Sequence, residues 1–280
     1  MTVEEIRVSR EWLALREPVD AAARDRSLVE RLGRALPAGG PLAIHDLACG
    51  SGSMGRWLAP LLPGPQHWVL HDRDPDLLEA AVARPPFGAA GGAEVTVEAR
   101  RSDITLLDPA ELAGAGLVTA SALLDLLTEE GLAGLVDLCA AAGCPVLLTL
   151  SVVGRVELSP PEPLDARVAA AFDAHQRRMT AAGRLLGPDA AAAAARSFGW
   201  LGCDVAVRPS PWTLGAAEAR LAAEWLTGWV GAACEQDPGL AAEAAGYLAR
   251  RLAQAREGRL RVTVGHSDLL VLPRRPGGRA

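Results

Sequence analysis

The chain of 280 residues is half hydrophobic and carries 28 basic against 34 acidic side chains, a formal net charge of −6. This balance sets up no general field for a polyanion, which speaks against a nucleic-acid substrate. Every basic residue is arginine and neither lysine nor asparagine occurs, so a lysine Schiff base, a P-loop lysine and N-glycosylation are all excluded.

The first residues, Thr2-Val3-Glu4-Glu5, have neither the basic start nor the apolar core of a signal peptide, and none is expected. Residues 3–36 read as helix in two pieces broken near Pro18, with Ile6, Trp12, Leu13, Leu15, Val19, Leu28, Val29 and Leu32 as buried positions. Pro41 to Leu47 is a short buried strand, Gly50 and Gly52 supply a tight turn, and Ser53 to Leu62 is a helix whose first N–H groups face that turn. A second strand, Trp68 to His71, leads through Asp72-Arg73-Asp74-Pro75 into a helix over Asp76 to Ala83. Glu94 to Ala99, Leu117 to Ala120 and the wholly apolar Pro145 to Ser151 are strands three to five, with a helix over Glu129 to Ala142. Strand alternating with helix at this spacing predicts a doubly wound, mostly parallel α/β sheet with ligands at the carboxyl ends of its strands.

After Val152 the rhythm changes. Ser159-Pro160-Pro161-Glu162-Pro163 is a rigid connector, followed by helices over Leu164 to Met179 and Pro188 to Phe198 and a strand over Leu201 to Val207. Ala216 to Cys234 and Leu240 to Arg256 are helices, and Leu260 to Val264 and Asp268 to Leu272 are two strands flanking Gly265. The tail from Pro273 is expected to be disordered. Five cysteines without paired zinc spacing read as reduced apolar fillers, and no metal site is expected. No apolar run approaches the roughly 20 residues of a membrane span, so a cytoplasmic protein with no membrane partner is expected. This divides the chain into N-terminal helices (1–40), an α/β core (41–151), a C-terminal half of the sheet with helical insertions (152–272) and a tail (273–280).

Gly50-Ser51-Gly52-Ser53-Met54-Gly55 matches G-x-G-x-x-G, so a dinucleotide is one reading. Asp46 argues for another ligand, because a carboxylate at the loop entrance bonds the amino group of an amino-acid moiety but repels a pyrophosphate. Asp46-Leu47-Ala48-Cys49-Gly50-Ser51-Gly52 resembles the first motif of the class I S-adenosylmethionine-dependent methyltransferases, with Ala48 in place of the first of its three glycines. The resemblance covers about Pro41 to Ser151. It implies a Rossmann-like methyltransferase fold with a seven-stranded sheet, in which 41–151 binds the cofactor, the N-terminal helices of 1–40 form a lid and the helical insertions of 152–272 build the acceptor site. It also implies that Asp72 with Arg73 holds the ribose, that Asp103 with Ser102 and Ile104 clamps the adenine, and that Ser121 faces the methyl group. Each acid taken alone equally suits a helix cap or a turn. Three of them at successive strand ends, in the family's order, favour S-adenosylmethionine as cofactor.

The same resemblance places Ala122 and Asp125 beside the methyl group, so Asp125 is a catalytic candidate. His175, in the polar run Ala171 to Arg178, is a candidate general base, and Arg177 a candidate anion holder; a solvated helix face is the plainer reading of both. Trp212 is a candidate substrate wall, while the helical spacing of Trp225 and Trp229 favours core packing. His266, Ser267 and Asp268 read as a turn. Arg10 and Trp12, on the N-terminal helices, are candidates for an acidic substrate or the cofactor carboxylate. The family's adenine-modifying Asn-Pro-Pro-Tyr variant is absent. The expectation is methyl transfer to a small molecule, with oxygen, nitrogen and carbon all open as target atoms and oligomeric state unread. A nicotinamide-dependent oxidoreductase and a non-catalytic S-adenosylmethionine-binding module are the alternatives.

Overall fold

Apolar runs that end on glycine or an acid make the central strands, because a parallel strand buried on both faces has little room for polar side chains. The computed structural model describes residues 8–36, 40–85 and 88–274. In chain order the elements are α1 (Arg10–Ala23), α2 (Arg26–Ala35), β1 (Leu42–Leu47), α3 (Ser53–Leu58), β2 (Gln66–Asp72), α4 (Pro75–Ala83), β3 (Val95–Arg101), β4 (Leu117–Ser121), α5 (Glu129–Ala142) and β5 (Val146–Ser159). There follow α6 (Asp165–Gln176), β6 (Met179–Thr180), β7 (Gly183–Arg184), α7 (Ala190–Trp200), β8 (Asp204–Pro209), β9 (Trp212–Leu214), α8 (Ala219–Gln236), α9 (Ala241–Arg256) and β10 (Arg261–Leu272). The expectations for Ile6 and for the tail from Arg275 onward lie outside the described residues.

Among the described residues one sheet runs β3-β2-β1-β4-β5-β10-β8, with β9 added on β10. Strands β1 to β5 pair in parallel, and β10 is antiparallel to both neighbours. This is the doubly wound, mostly parallel α/β sheet that was expected, with one strand more than the expected seven. Alternate residues feed two cores: Val146 and Leu148 of β5 join Leu135, Phe198 and Leu269 on one face, whereas Leu147 joins Ile44, Trp57 and Trp68 on the other. A third core gathers β9 with α6, α8 and α9 around Trp212, Trp229 and Tyr247. Trp225 and Trp229 stack with centroids 5.0 Å apart, so their spacing does serve packing.

Three boundaries differ most from the sequence expectation. Helix α1 runs unbroken through Pro18, because Pro18 and Ala14, whose carbonyl loses its donor, both lie on the exposed face. The break comes at Arg24-Asp25, where Asp25 accepts from Leu28 N at 2.9 Å and starts α2. Strand β5 continues to Ser159, since past Ser151 it becomes half-buried and alternates inward and outward residues. The last two predicted strands are one, β10, whose register shifts twice against β5. Gly265 serves close packing there, not a turn: a Cβ would sit 2.9 Å from Val153 Cγ2 and 3.0 Å from Arg155 Cβ. Neither β9 nor the small β6-β7 hairpin was expected.

Candidate functional site

Asp46 is fully buried at the end of β1. Its Oδ1 accepts from Thr119 Oγ1 at 2.7 Å, its Oδ2 has no partner, and burial pushes its carboxyl up to about 7. The loop that follows is left-handed at Ala48 (φ 51°), Gly50 (φ 54°) and Gly52 (φ 82°), and a Cβ on Gly52 would press 3.2 Å from both Ala81 Cβ and Arg56 Nη1. The alanine at the first motif position therefore takes the conformation that a glycine adopts freely. Ala122 after β4 and Leu150 in β5 are likewise left-handed, with φ of 53° and 57°. Non-glycine residues in this region cost on the order of 1–3 kcal/mol each, and here they lie just past the carboxyl ends of β1 and β4 and level with these inside β5.

Asp72 closes β2 and is buried. Its two oxygens accept from Gly50 N at 2.8 Å and Asp74 N at 2.9 Å, while Arg73 beside it is exposed. After β3, Ser102 Oγ meets His71 Nδ1 at 3.0 Å, and His71 Nε2 meets His45 Nδ1 at 3.0 Å. Asp103 is exposed and its Oδ1 accepts from Thr105 N and Oγ1 at 2.9 and 2.7 Å, so it caps its own turn; Ile104 packs partly against the core. Parallel pairing of β1, β2 and β3 thus brings Asp46, Asp72 and Asp103 to one edge of the sheet.

Helix α1 lies over this edge. Arg10 bonds the Asp76 carbonyl and, at 3.3 Å, Glu79 Oε2 on α4; Leu13 Cδ1 stands 3.3 Å from where a Cβ of Gly50 would be; Arg56 donates to both oxygens of Glu17 at 2.6 and 2.7 Å. Burial alone raises the Glu17 carboxyl, but Arg56 outweighs it and holds the group below its usual range. Farther along, Arg16 donates to Asp20 at 2.8 and 3.2 Å and lies over the Trp212 ring, 4.9 Å from its centroid. The helix ends at Arg24, which reaches the hydroxyls of Ser53 (3.2 Å), Ser121 (3.0 Å) and Thr149 (3.4 Å).

Beyond Ser121 a second group of side chains assembles. Half-buried Asp125 has its carboxyl pushed up to about 6 by burial, with Arg16 as the nearby cation. Trp12 and Trp212 face each other with centroids 6.4 Å apart, and His266 lies 5.3 Å from Trp212. Trp212 is 2% exposed and donates from Nε1 to Asp20 at 2.9 Å. Burial pushes His266 down to about 3, and its Nδ1 bonds the Val264 carbonyl at 3.0 Å. His266 is therefore part of a strand packed on this group, and Asp268 is a buried pin: it accepts from Leu150 N, Ser210 Oγ and Asp25 N at 2.8, 2.6 and 2.8 Å. The turn expected for these residues is absent.

Three predicted site residues are held elsewhere. Arg10 is exposed and fastened to α4, as above. His175 meets Glu235 Oε2 on α8 at 3.0 Å, and Arg177 pairs with Asp189 at 2.6 and 2.9 Å on the wall of a separate surface cavity with Arg184, Arg196 and Trp200. Both contacts lie at the C-terminal end of α6. Arg16, Asp20 and Arg24 were missed: their other partners lie up to 192 residues away in the chain, and the local signals were the i,i+4 spacing of Arg16 and Asp20 and the Asp25 cap that fixes where α1 ends. Among the described residues no group of three His, Cys, Asp or Glu is arranged to hold a metal ion. Cys139 and Cys144 are buried, which pushes their thiols up to about 12 and 11 and fits the role of apolar fillers.

No protein-family model matches the chain, and no curated protein matches it in sequence. Among solved structures it is similar to the magnesium protoporphyrin IX methyltransferase of Synechocystis PCC 6803 (14% identity, 95% of this chain, 89% of that one, TM-score 0.47). It is also similar to a cyclopropane synthase of Mycobacterium tuberculosis (11%, 94% of each chain, TM-score 0.46). A third similar structure is an S-adenosylmethionine-dependent methyltransferase of Thiobacillus denitrificans, in complex with S-adenosylhomocysteine (17%, 96% and 100%, TM-score 0.45). At such identities and scores these likenesses concern the course of the chain, and the chemistry has to be read from its own residues.

Proposed function

We propose that the chain transfers a methyl group from S-adenosylmethionine to a small-molecule acceptor. The observation that carries this reading is the buried, unpartnered Oδ2 of Asp46 at a left-handed loop, on the same sheet edge as Asp72 and Asp103. A buried carboxylate oxygen without a donor is costly, and the ammonium of an amino-acid moiety is a donor of the right charge. The residues present fit this cofactor: Asp46 for its ammonium, Ala48, Gly50 and Gly52 for close approach of the backbone, and Asp72 with Arg73 for the ribose. Asp103, Ser102 and Ile104 would flank the adenine, and Ser121 the reacting end. When bound, the cofactor supplies an electrophilic methyl on a sulfonium.

For the acceptor, the group formed by Asp125, Arg16, Trp12 and Trp212 takes the part first given to His175 and Arg177. A carboxyl near 6 is ionised in a useful fraction at neutral pH, so Asp125 can take the proton of a hydroxyl or ammonium acceptor. Trp212 and Trp12 exclude water and give flat apolar walls. Helix α1, fastened to α3 and α4 only through side chains, acts as the lid. A small acceptor fits the charge balance of the sequence, and among the described residues no helix is long and apolar enough to cross a membrane.

Thermal shift with S-adenosylhomocysteine and NAD, followed by transfer of labelled methyl into fractions of small metabolites, tests the reading. The expected result is stabilisation by S-adenosylhomocysteine alone. Stabilisation by NAD alone would sink it, and cofactor binding with no labelled product from any fraction would point to a non-catalytic module.

A further inference from the structure

Among the described residues, the buried polar atoms near this edge of the sheet that lack a protein partner include Trp57 Nε1 and Ser151 Oγ, and two belong to groups of opposite charge: Nη1 of Arg24 and Oδ2 of Asp46. Arg24 is 3% exposed. Its other two nitrogens reach only hydroxyls, those of Ser53, Ser121 and Thr149, and its guanidinium lies 5.3 Å from the Trp57 ring centroid. Burial pushes its pKa down, while the charges of Asp20 and Asp268 hold it up. Neither carboxylate is bonded to it: Asp20 is engaged by Arg16 and Trp212, and Asp268 by Leu150, Ser210 and Asp25.

A guanidinium buried among hydroxyls, with one nitrogen unmatched, is an incomplete ion pair, and removing such a group from water is offset only by a full set of partners. Asp46 is incomplete in the opposite sense. The two groups sense each other's charge without bonding. A ligand that completes both must present an anion and a cation close together, which is what the carboxylate and ammonium on the α-carbon of an amino acid do.

We propose that Arg24 and Asp46 form a receptor for an α-amino-acid end group, Arg24 taking the carboxylate and Asp46 the ammonium. On the proposed function, that end group is the methionine part of the cofactor. The assignment rests on that reading. It makes Arg24, at the junction of α1 and α2, the residue through which cofactor binding fixes the lid, and it makes the carboxylate a determinant of affinity. A carboxylate–guanidinium contact is among the stronger hydrogen-bonded pairs.

Calorimetric affinities of S-adenosylhomocysteine, its decarboxylated analogue and 5′-methylthioadenosine test this on the folded full chain. The wild type should bind the decarboxylated analogue at least about tenfold more weakly than S-adenosylhomocysteine. Arg24→Gln should lose about the same factor for S-adenosylhomocysteine, keep its affinity for methylthioadenosine within twofold, and no longer distinguish the decarboxylated analogue; Arg24→Lys should recover part of the loss. Equal weakening of all three ligands in Arg24→Gln would assign the residue to the scaffold and overturn the proposal. So would a wild type indifferent to the carboxylate, an outcome that leaves the cofactor reading standing and that remains readable if Arg24→Gln does not fold. A wild type that binds none of the three removes the cofactor reading and the proposal together.

Discussion

The backbone N–H of Gly50 donates to Asp72 Oδ2 across 2.8 Å, so the acid that ends β2 also fixes the loop that follows β1. A carboxylate oxygen has lone pairs for more than one donor, and Asp72 can hold this loop while accepting from a ligand hydroxyl. Asp72→Asn should weaken S-adenosylhomocysteine binding by about 1.5–3 kcal/mol, the range for hydrogen bonds to a charged group. Asp103 is exposed and engaged in capping, so Asp103→Asn should cost under about 1 kcal/mol. Calorimetry on the two variants checks the order; equal losses would contradict it.

Asp46 links the site to pH. Its carboxyl lies at about 7 in the folded chain, against an ordinary value of 3.8, because it is buried, with Arg24, Arg56 and Asp72 as the charged neighbours. In the free protein its contribution to stability is complete at low pH and is lost as pH rises through 7. A ligand ammonium needs the ionised form, so affinity for S-adenosylhomocysteine should rise from pH 5.5 to 7, by at most about tenfold per pH unit, and level off above. Titrations at pH 6 in buffers of different ionisation enthalpy should show proton release on binding. Asp46→Asn should remove both effects.

The His45–His71 pair predicts acid sensitivity of the opposite sign. Burial holds both rings at about 4, below the ordinary 6.5, and their nitrogens share one hydrogen bond within a stack. The unfolded chain takes up protons here between pH 6.5 and 4 that the folded chain refuses. The stability they contribute is therefore full above 6.5 and lost on acidification, on the order of 3–5 kcal/mol by pH 4. Urea midpoints measured from pH 7 to 4.5 should fall for the wild type, and less steeply for His71→Gln.

Gly265 and Gly228 predict opposite effects of one methyl group. At Gly265 the new Cβ would meet Val153 and Arg155 at 3.0 Å or less, so Gly265→Ala should destabilise by about 1–3 kcal/mol through overpacking. Gly228 is exposed within α8 with nothing within 4 Å, and Gly228→Ala should stabilise by up to about 1 kcal/mol through helix propensity. Chemical denaturation of both variants decides.

What could be read in the sequence follows the range of the interactions. The positions of Asp46, Gly50, Gly52 and Asp72 at strand ends and in the turn between were legible because these are local features with fixed residue preferences. The length of β5 was not, since its second half is half-buried and its partner β10 lies about 100 residues on. The place of Arg24 was invisible for the same reason: one arginine among 28, brought to the end of the sheet by hydroxyls 29 to 125 positions away. His175 is the converse case, because a polar run on a helix looks the same whether it faces a ligand or, as here, a glutamate on α8.

That difference sets the test for the acceptor side. Asp125 and His175 are both titratable groups that a base-catalysed transfer can use, but only Asp125 follows β4 directly, next to Ser121. With an acceptor in hand, Asp125→Asn should lower kcat by about 10²–10⁴ with little change in S-adenosylhomocysteine affinity, the range for loss of a general base. The wild-type kcat should rise with pH through about 6, where the Asp125 carboxyl ionises, and that limb should vanish in the variant. His175→Ala removes a contact with a largely exposed glutamate and should leave kcat within about twofold. An intact Asp125→Asn with an impaired His175→Ala would move the acceptor site from the end of β4 to the face between α6 and α8.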